Sequence, residues 1–330
     1  MKITNKKGLP EPFYNAATGF GTRTPKEKSV SVTQLIGPPK IRVLTKRYWD
    51  QIEEDASQRV WAIMGTMGHA VIEASDPDFS DAKTKLMEAI QKIRDGSLQD
   101  AEKLWKAAFD HAVDSHTNDS SYQELFLAIE RDGWAIRGRC DYVKQMRKVS
   151  DYKFTSTWSY IFEKGGKEDW ITQQNVYAHM LREIYDADIE ELEIVCIFRD
   201  WSATKFEREA DYPDQVESIK LPLWTPEEAE TYLMERLALH QAAEETLPQC
   251  TDSERWAKTD KWAVKMPRKK KALRVLDSEE KAKEWADFSL SEDDRMRVKF
   301  EYRPGESIRC GRYCSVIAFC SQGQNILQGG

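Results

Sequence analysis

The sequence predicts an α/β fold with a smaller appendage at its C-terminal end, and three observations predict it. Apolar residues recur at helical spacing over much of the first third of the chain, the period turns strand-like after Ser120, and helix and strand then alternate as far as Glu245. At 330 residues the chain also outgrows a single core, which stops enlarging at roughly 250 to 300 residues. The expected boundaries are an irregular arm over 1–28, a core over 29–247 and an appendage over 248–330.

Taken in order, residues 1–28 mix Gly, Pro, Thr and Lys without a period. Val30 to Ile36 is a short strand or a helix start, stopped by Gly37, Pro38 and Pro39. Trp49, Ile52, Val60, Ile63, Met64, Met67 and Val71 space as one or two helices within 45–73, ended near Asp76-Pro77. Residues 81–93 and 98–113 make two further amphipathic helices. Runs at 124–130, 134–143 and 148–154 then form an antiparallel meander, turned at Asp132-Gly133 and at Gln145 to Arg147. Residues 168–185 return to helix, 192–198 is an apolar strand, and 226–245 is a helix capped by Thr225 with Pro226 in its first position. Past Pro248 the elements shorten, and three of the six cysteines crowd between Cys310 and Cys320.

A hydrophobic fraction of 40% with 32% charged residues excludes a disordered or fibrous chain. No apolar run approaches the ~20 residues of a membrane helix, and Met1 to Asn15 hold no apolar stretch of the kind a secretory signal needs. The expectation is a cytoplasmic protein with no membrane partner, whose thiols stay reduced. Each cysteine is then a small buried hydrophobe or a metal ligand. The net charge of -7 argues against a general basic coating for nucleic acid. A polyanion would have to meet a local patch, such as Arg268, Lys269, Lys270 and Lys271 after Pro267, a run whose plainer reading is a solvated loop.

The meander holds the densest chemistry. Asp151 and Lys153 are two apart on a strand and leave the same face. With the turn centred on Met146, Asp141 stands opposite Asp151, with Cβ atoms roughly 4.5 to 5.5 Å apart. Two carboxylates so placed repel unless a cation lies between them, and Mg²⁺ or Mn²⁺ suits hard oxygen ligands. His69 and Glu73 share a helix face, while Gly65 and Gly68 clear the way for another backbone. A histidine and a glutamate at this spacing also occur as a surface pair, and Asp-x-Lys as a surface salt bridge.

The order of these pieces resembles the RecB-like branch of the PD-(D/E)XK nuclease superfamily. A helix with Gly-x-x-x-His-x-x-x-Glu comes first, then Gly138-Arg139-Cys140-Asp141, then Asp151-Tyr152-Lys153, then Gln173-x-x-x-Tyr177. Cys140 stands where the superfamily usually has Pro. The resemblance runs from about Ser29 to the C-terminus. It implies a mixed central sheet flanked by helices and a metal-dependent phosphodiesterase acting on DNA, an exonuclease by family analogy. His69, Asp141, Asp151 and the Tyr152 carbonyl would hold the metal, Mg²⁺ or Mn²⁺. Lys153 would orient or help deprotonate the attacking water, Gln173 and Tyr177 would face the site or the DNA, and Glu73 and Glu124 would support the ligands. Ser31 to Leu35 and the basic stretch 40–47 are similar to phage-encoded members, which places the protein in a bacterial host. That stretch alone reads as a helix start on a solvated face.

Zinc modules present two close cysteine pairs, whereas Cys250 stands far from the trio Cys310, Cys314 and Cys320. This layout resembles the iron-sulfur staple of AddB-type and CRISPR-adaptation nucleases of the same branch, and implies a 4Fe-4S cluster on these four thiolates. Cys140 and Cys196 lie in apolar strands as packing residues. The partners implied are linear DNA ends and a helicase or single-strand annealing protein. Two other readings compete, a non-catalytic DNA-end-binding subunit and a zinc-stabilised interaction module. An incomplete ligand set would mark the first of these, and a colourless protein the second.

Overall fold

In a computed structural model of the chain, the residues described are 1–19, 24–74, 121–162 and 166–328, with Glu73 and Ala74 described as backbone only. The helices expected over 81–93 and 98–113 and the Glu73 side chain lie outside them. The chain divides into two compact units, one made of Lys2–Ile36 and Glu54–Ala242, the other of Met1, Gly37–Glu53 and Ala243–Gly330. Among the described residues no helix is long and apolar enough to cross a membrane.

The first unit is a mixed sheet with helices against it. Its elements are β1 (Ser29–Ser31), α1 (Val60–Ala74), β2 (Ser121–Arg131), β3 (Trp134–Lys144), β4 (Lys148–Thr155), α2 (Glu168–Tyr185), β5 (Glu191–Phe198), β6 (Val216–Leu221) and α3 (Pro226–Glu245). The strand order is β1-β3-β4-β5-β6, with β2 paired to β3. Pairing is parallel for β1 with β3 and for β4 with β5, and antiparallel elsewhere. Asp132 and Gly133 both take left-handed φ, 49° and 72°, which a two-residue hairpin turn requires. Arg131 therefore pairs with Trp134.

One feature of pairing positions the chemistry. β2 borders β3 along its length, but the other edge of β3 is divided between two neighbours. Ala135 to Arg137 pair with β1, and Tyr142 to Lys144 pair with β4. Gly138 to Asp141 fall between them, where the strands part.

Burial explains why α2 forms where it does. Val176, Ala178, Met180 and Leu181 are buried against Leu127, Ile136, Val149 and Ile194 of the sheet, and Glu168 and Asp169 in its first turn complement the helix dipole. Asn175, buried on this helix, donates to the carbonyls of Ile171 and Pro222 and accepts the Trp224 N–H. At the start of α3, Thr225 and Glu228 exchange side-chain and backbone hydrogen bonds in a capping box. The arm expected to be irregular contains a strand at Lys2–Thr4 and a helix at Glu11–Gly19. Tertiary contacts hold this arm, with Tyr14 donating to the Ile3 carbonyl and Arg59 to that of buried Ala17.

The second unit has two clusters of its own. A three-stranded antiparallel sheet, β7 (Lys261–Lys265), β8 (Arg274–Leu276) and β9 (Lys299–Arg303), runs in the order β8-β7-β9. Helix α4 (Glu279–Ser289) buries Ala282 and Ala286 on Val264, with Trp262, Trp285 and Phe300 around them. Elsewhere the helix Pro39–Arg47 sets Leu44 beside Ile52, Val316 and Cys320. Tyr48 stacks on Phe319 with ring centroids 4.3 Å apart.

The segment 40–47 departs from the solvated face expected of it. Pro39 opens the helix rather than stopping the preceding element, and Lys40 and Arg42 are only 5% and 6% exposed. Arg42 and Lys46 each reach Glu244 at 2.8 Å.

Candidate active site

Counting from the two hairpin turns puts three carboxylates in one row. The β2–β3 ladder pairs Gln123 with Tyr142 and Leu125 with Cys140, so Glu124 stands opposite Asp141. The β3–β4 ladder pairs Tyr142 with Ser150, and its continuation sets Asp141 opposite Asp151. The row lies where β3 and β4 diverge. There the Tyr152 N–H donates to Asp141 Oδ2 at 3.1 Å in place of a ladder bond. Glu124 has a left-handed φ of 50°, a conformation that costs a non-glycine residue on the order of 1 kcal/mol or more and clusters at functional positions.

Helix α1 brings His69 onto this row. Its Nδ1 lies 3.4 Å from Asp141 Oδ2 and 3.8 Å from Glu124 Oε1, and its Nε2 is 3.1 Å from the Tyr152 carbonyl. Gly68 permits the approach, because a methyl group there would overlap the Phe154 ring of β4. Around Gly65, expected to serve likewise, a Cβ would meet nothing within 4 Å among the described residues. His69, Glu124 and Asp141 offer ligand atoms all within 4.8 Å of one another. Glu124, expected only to support the ligands, belongs in this group, and the signal was present in the Asp-Gly turn that sets its register.

The electrostatics favour a cation. Burial and the Asp151 charge push the Asp141 carboxyl up to about 7, against the pull of His69. Glu124 raises the His69 imidazole despite burial, and Asp141 and Asp151 add to the effect. Hydrogen bonding to His69 and the charge of Arg139 hold Glu124 below the usual carboxylate range. Asp151 is 2% exposed, and its Oδ2 has no well-formed hydrogen bond; it meets the Lys153 ammonium at 2.6 Å. Lys153 Nζ also donates to Gln173 Oε1, and Gln173 Nε2 to the Tyr177 hydroxyl, each at 3.4 Å. The Tyr177 ring fills the space over Gly138, where any Cβ would overlap it. Asp151, Lys153, Gln173 and Tyr177 thus form one connected chain beside the carboxylate row.

In the second unit, Cys250, Cys310, Cys314 and Cys320 line one small cavity with Lys40, Glu254, Arg255 and Arg309. Gln322, on α5 (Ser321–Gln328), clamps Cys250: its side chain accepts from the Cys250 N–H and donates to the Cys250 carbonyl, both at 2.8 Å. Lys40 Nζ donates to Gln249 and Gln322. The Gly323 N–H points at Cys320 Sγ, 3.4 Å away. A Cβ on Gly323 would overlap Ile317 and lie 3.7 and 3.8 Å from the sulfurs of Cys320 and Cys310. Burial pushes the thiols of Cys250, Cys310 and Cys314 up, Cys250 to about 12. Cys140 and Cys196 are fully buried in the apolar core of the first unit.

No family model matches the chain, and no curated protein matches it. Among solved structures it is similar to the protein SSO0001, at 16% identity over 71% of this chain and 85% of that one, with a TM-score of 0.38. It is also similar to a protein of Eubacterium rectale provisionally described as an exonuclease, at 13% identity over 50% of this chain and 69% of that one, with a TM-score of 0.29.

Proposed function

We propose that the chain is a metal-dependent DNA nuclease of the RecB-like type, acting as an exonuclease on linear ends. The observation that carries this reading is the convergence of His69, Glu124 and Asp141 within 4.8 Å, beside a buried Asp151 paired to Lys153. The donor set fits a hard divalent cation: carboxylates stand in a row, and burial with the Asp151 charge raises one of them toward neutrality. His69, Asp141, Asp151 and the Tyr152 carbonyl, joined by Glu124, would hold Mg²⁺ or Mn²⁺. Such an ion, when bound, lowers the pKa of water and offsets charge on a phosphate oxygen.

The chain's own residues supply the rest. Lys153 holds the attacking water by its ammonium hydrogens and contributes positive charge where the phosphate becomes more negative. Gln173 fixes the Lys153 head, and Tyr177 fixes Gln173. These two are positioning residues for the ammonium. A non-catalytic end-binding protein would have no need of this whole chain of contacts.

The four cysteines that line one cavity support a 4Fe-4S cluster as the second cofactor. Lys40, Arg255 and Arg309, less Glu254 on the same wall, would offset part of the charge of four thiolates, and the Gly323 N–H directed at Cys320 is of the kind that tunes cluster potential.

The test is direct. Purified protein is incubated with end-labelled linear and circular DNAs and Mg²⁺ or Mn²⁺, and products are resolved over time. Progressive loss of linear substrate, absent with EDTA and absent on circles, is the expected result. Inertness towards every DNA with both metals would overturn the reading.

A further inference from the structure

The basic run singled out in the sequence is neither isolated nor part of the carboxylate site. It forms the tip of the β7–β8 hairpin, with Arg268, Lys269, Lys270 and Lys271 all exposed. The register shows what lies beside it. Lys261 and Lys265 on β7 stand opposite Arg303 and Lys299 on β9, and Ala263 between them stands opposite Glu301 and Val275. These residues share one face. The other face, with Trp262, Val264, Leu276 and Phe300, is covered by α4.

Charge is sorted across this small module. Residues 261–303 carry thirteen Lys and Arg against nine Asp and Glu, a local excess of +4 in a chain of net -7. On α4, behind the sheet, Glu279, Glu280, Glu284 and Asp287 outnumber Lys281 and Lys283. The open face and hairpin tip together hold eight cations, opposed by Glu301, which pairs with Lys265 and Arg303, and by Asp277, which pairs with Lys261. Such a surface suits a regular polyanion. Among the described residues of these strands no aromatic ring stands on the open face, since Trp262, Phe300 and Tyr302 occupy the alternate positions. It therefore offers charge without a platform for unpaired bases, and single-strand binders depend on such platforms.

We propose that the hairpin tip and open face of this sheet dock the phosphate backbone of duplex DNA, independently of base sequence. This rests on the nuclease reading for its biological partner but not for its chemistry. Four tip cations that each displace a counterion account for about 3.6 units of log–log salt slope on duplex DNA.

The experiment measures binding by the full chain in EDTA, using a short duplex whose ends are closed by loops and a single strand of the same length. Wild type is compared with the joint Arg268→Gln, Lys269→Gln, Lys270→Gln and Lys271→Gln variant, with folding checked by circular dichroism. Duplex affinity at ~100 mM salt should fall at least about tenfold, and its decline between ~50 and ~200 mM should flatten by roughly a hundredfold. Lys299→Gln alone should lower the slope by about one, and Glu280→Gln should leave it unchanged. Unaltered duplex affinity and slope in the tip variant would overturn the proposal, as would an equal loss on the single strand or equal competition by polyglutamate. Cleavage is assayed separately. A protein that cleaves with an unchanged slope fails this proposal alone, and one that never cleaves but loses duplex binding in the tip variant fails the nuclease reading alone.

Discussion

The carboxylate row of the first unit and the cysteine cavity of the second are unbalanced in opposite senses. Around the row, Glu124, Asp141 and Asp151 face His69 and Lys153, and burial together with the Asp151 charge pushes the Asp141 carboxyl up to about 7. Around the cavity, Lys40, Arg255 and Arg309, with Glu254 among them, surround the cysteines, and burial pushes the thiols of Cys250, Cys310 and Cys314 up, Cys250 to about 12. One region is complementary to a cation and the other to a group that carries thiolate charge. Loading the first displaces few protons near neutral pH, whereas loading the second displaces one from each ligating thiol. The two regions should thus respond separately to substitution, and the strongest tests exploit that separation.

The largest effect is expected at the row. Asp151→Asn or Lys153→Ala should lower DNA cleavage by about 10³-fold or more, since each removes charge that acts on the reacting phosphate. Neither should change iron content, because the cysteines lie in the other unit. Gln173→Ala should cost less than Lys153→Ala and shift the pH profile of cleavage, because Gln173 acts through the ammonium. Undiminished cleavage by Asp151→Asn would remove the row from the mechanism.

Next in size is the cavity. Replacement of Cys250, Cys310, Cys314 or Cys320 by Ser should release iron and colour and expose the chain after Pro248 to protease. A crosslink that closes a loop of about 70 residues contributes about 4 kcal/mol in the entropy model. Gln322 binds Cys250 through two hydrogen bonds, so Gln322→Ala should weaken iron retention without touching a ligand. Iron content measured against total protein decides both.

Much of the first region could be read by counting, and little of the second could. Hairpin turns are short and set register residue by residue, so the turn at Gln145 to Arg147 sets Asp141 opposite Asp151 from sequence alone, whereas Glu124 joins the row only through the β2–β3 register. Glu124 was undervalued because its reorientation depends on a left-handed backbone that strand periodicity does not encode. The clamp between Cys250 and Gln322 spans 72 residues, and no local pattern announces such a contact. The same holds for Lys40 and Arg42, which look like a solvated face in sequence and are buried by tertiary packing. Gly68 and Gly65 looked equivalent, and only the Phe154 ring distinguishes them.

A smaller effect tests the contrast through a second carboxylate. Burial would push Glu244 up as it does Asp141, but Lys46 and Arg42 outweigh it and hold the group below the usual range. A carboxyl lowered on folding stabilises fully above its unfolded pKa, near ~4.3, and that contribution is lost as pH falls through the folded value. Glu244→Gln should therefore destabilise the protein by about 2 kcal/mol at neutral pH, since it leaves Arg42 buried beside a neutral amide. The gap between variant and wild type should close in acid. Denaturant midpoints at neutral pH and below ~3 would show this, and a gap that widens in acid would contradict the assignment.

The smallest expected effect separates packing cysteines from ligands. Cys140 and Cys196 are fully buried in the sheet core of the first unit, and burial raises both thiols. Cys140 lies on β3 and Cys196 on β5, both in the core of the first unit. Each →Ala substitution removes one sulfur from a packed interior, at a cost of about 1 kcal/mol with a small residual cavity. Iron content and colour should stay at the wild-type level in both variants. A general loss of stability could release iron from any variant, so the informative quantity is iron retained at matched stability. If Cys196→Ala loses iron at a stability where Cys250→Ser retains it, the ligand set is wrong even though a cluster exists, and the contrast between the two regions fails with it.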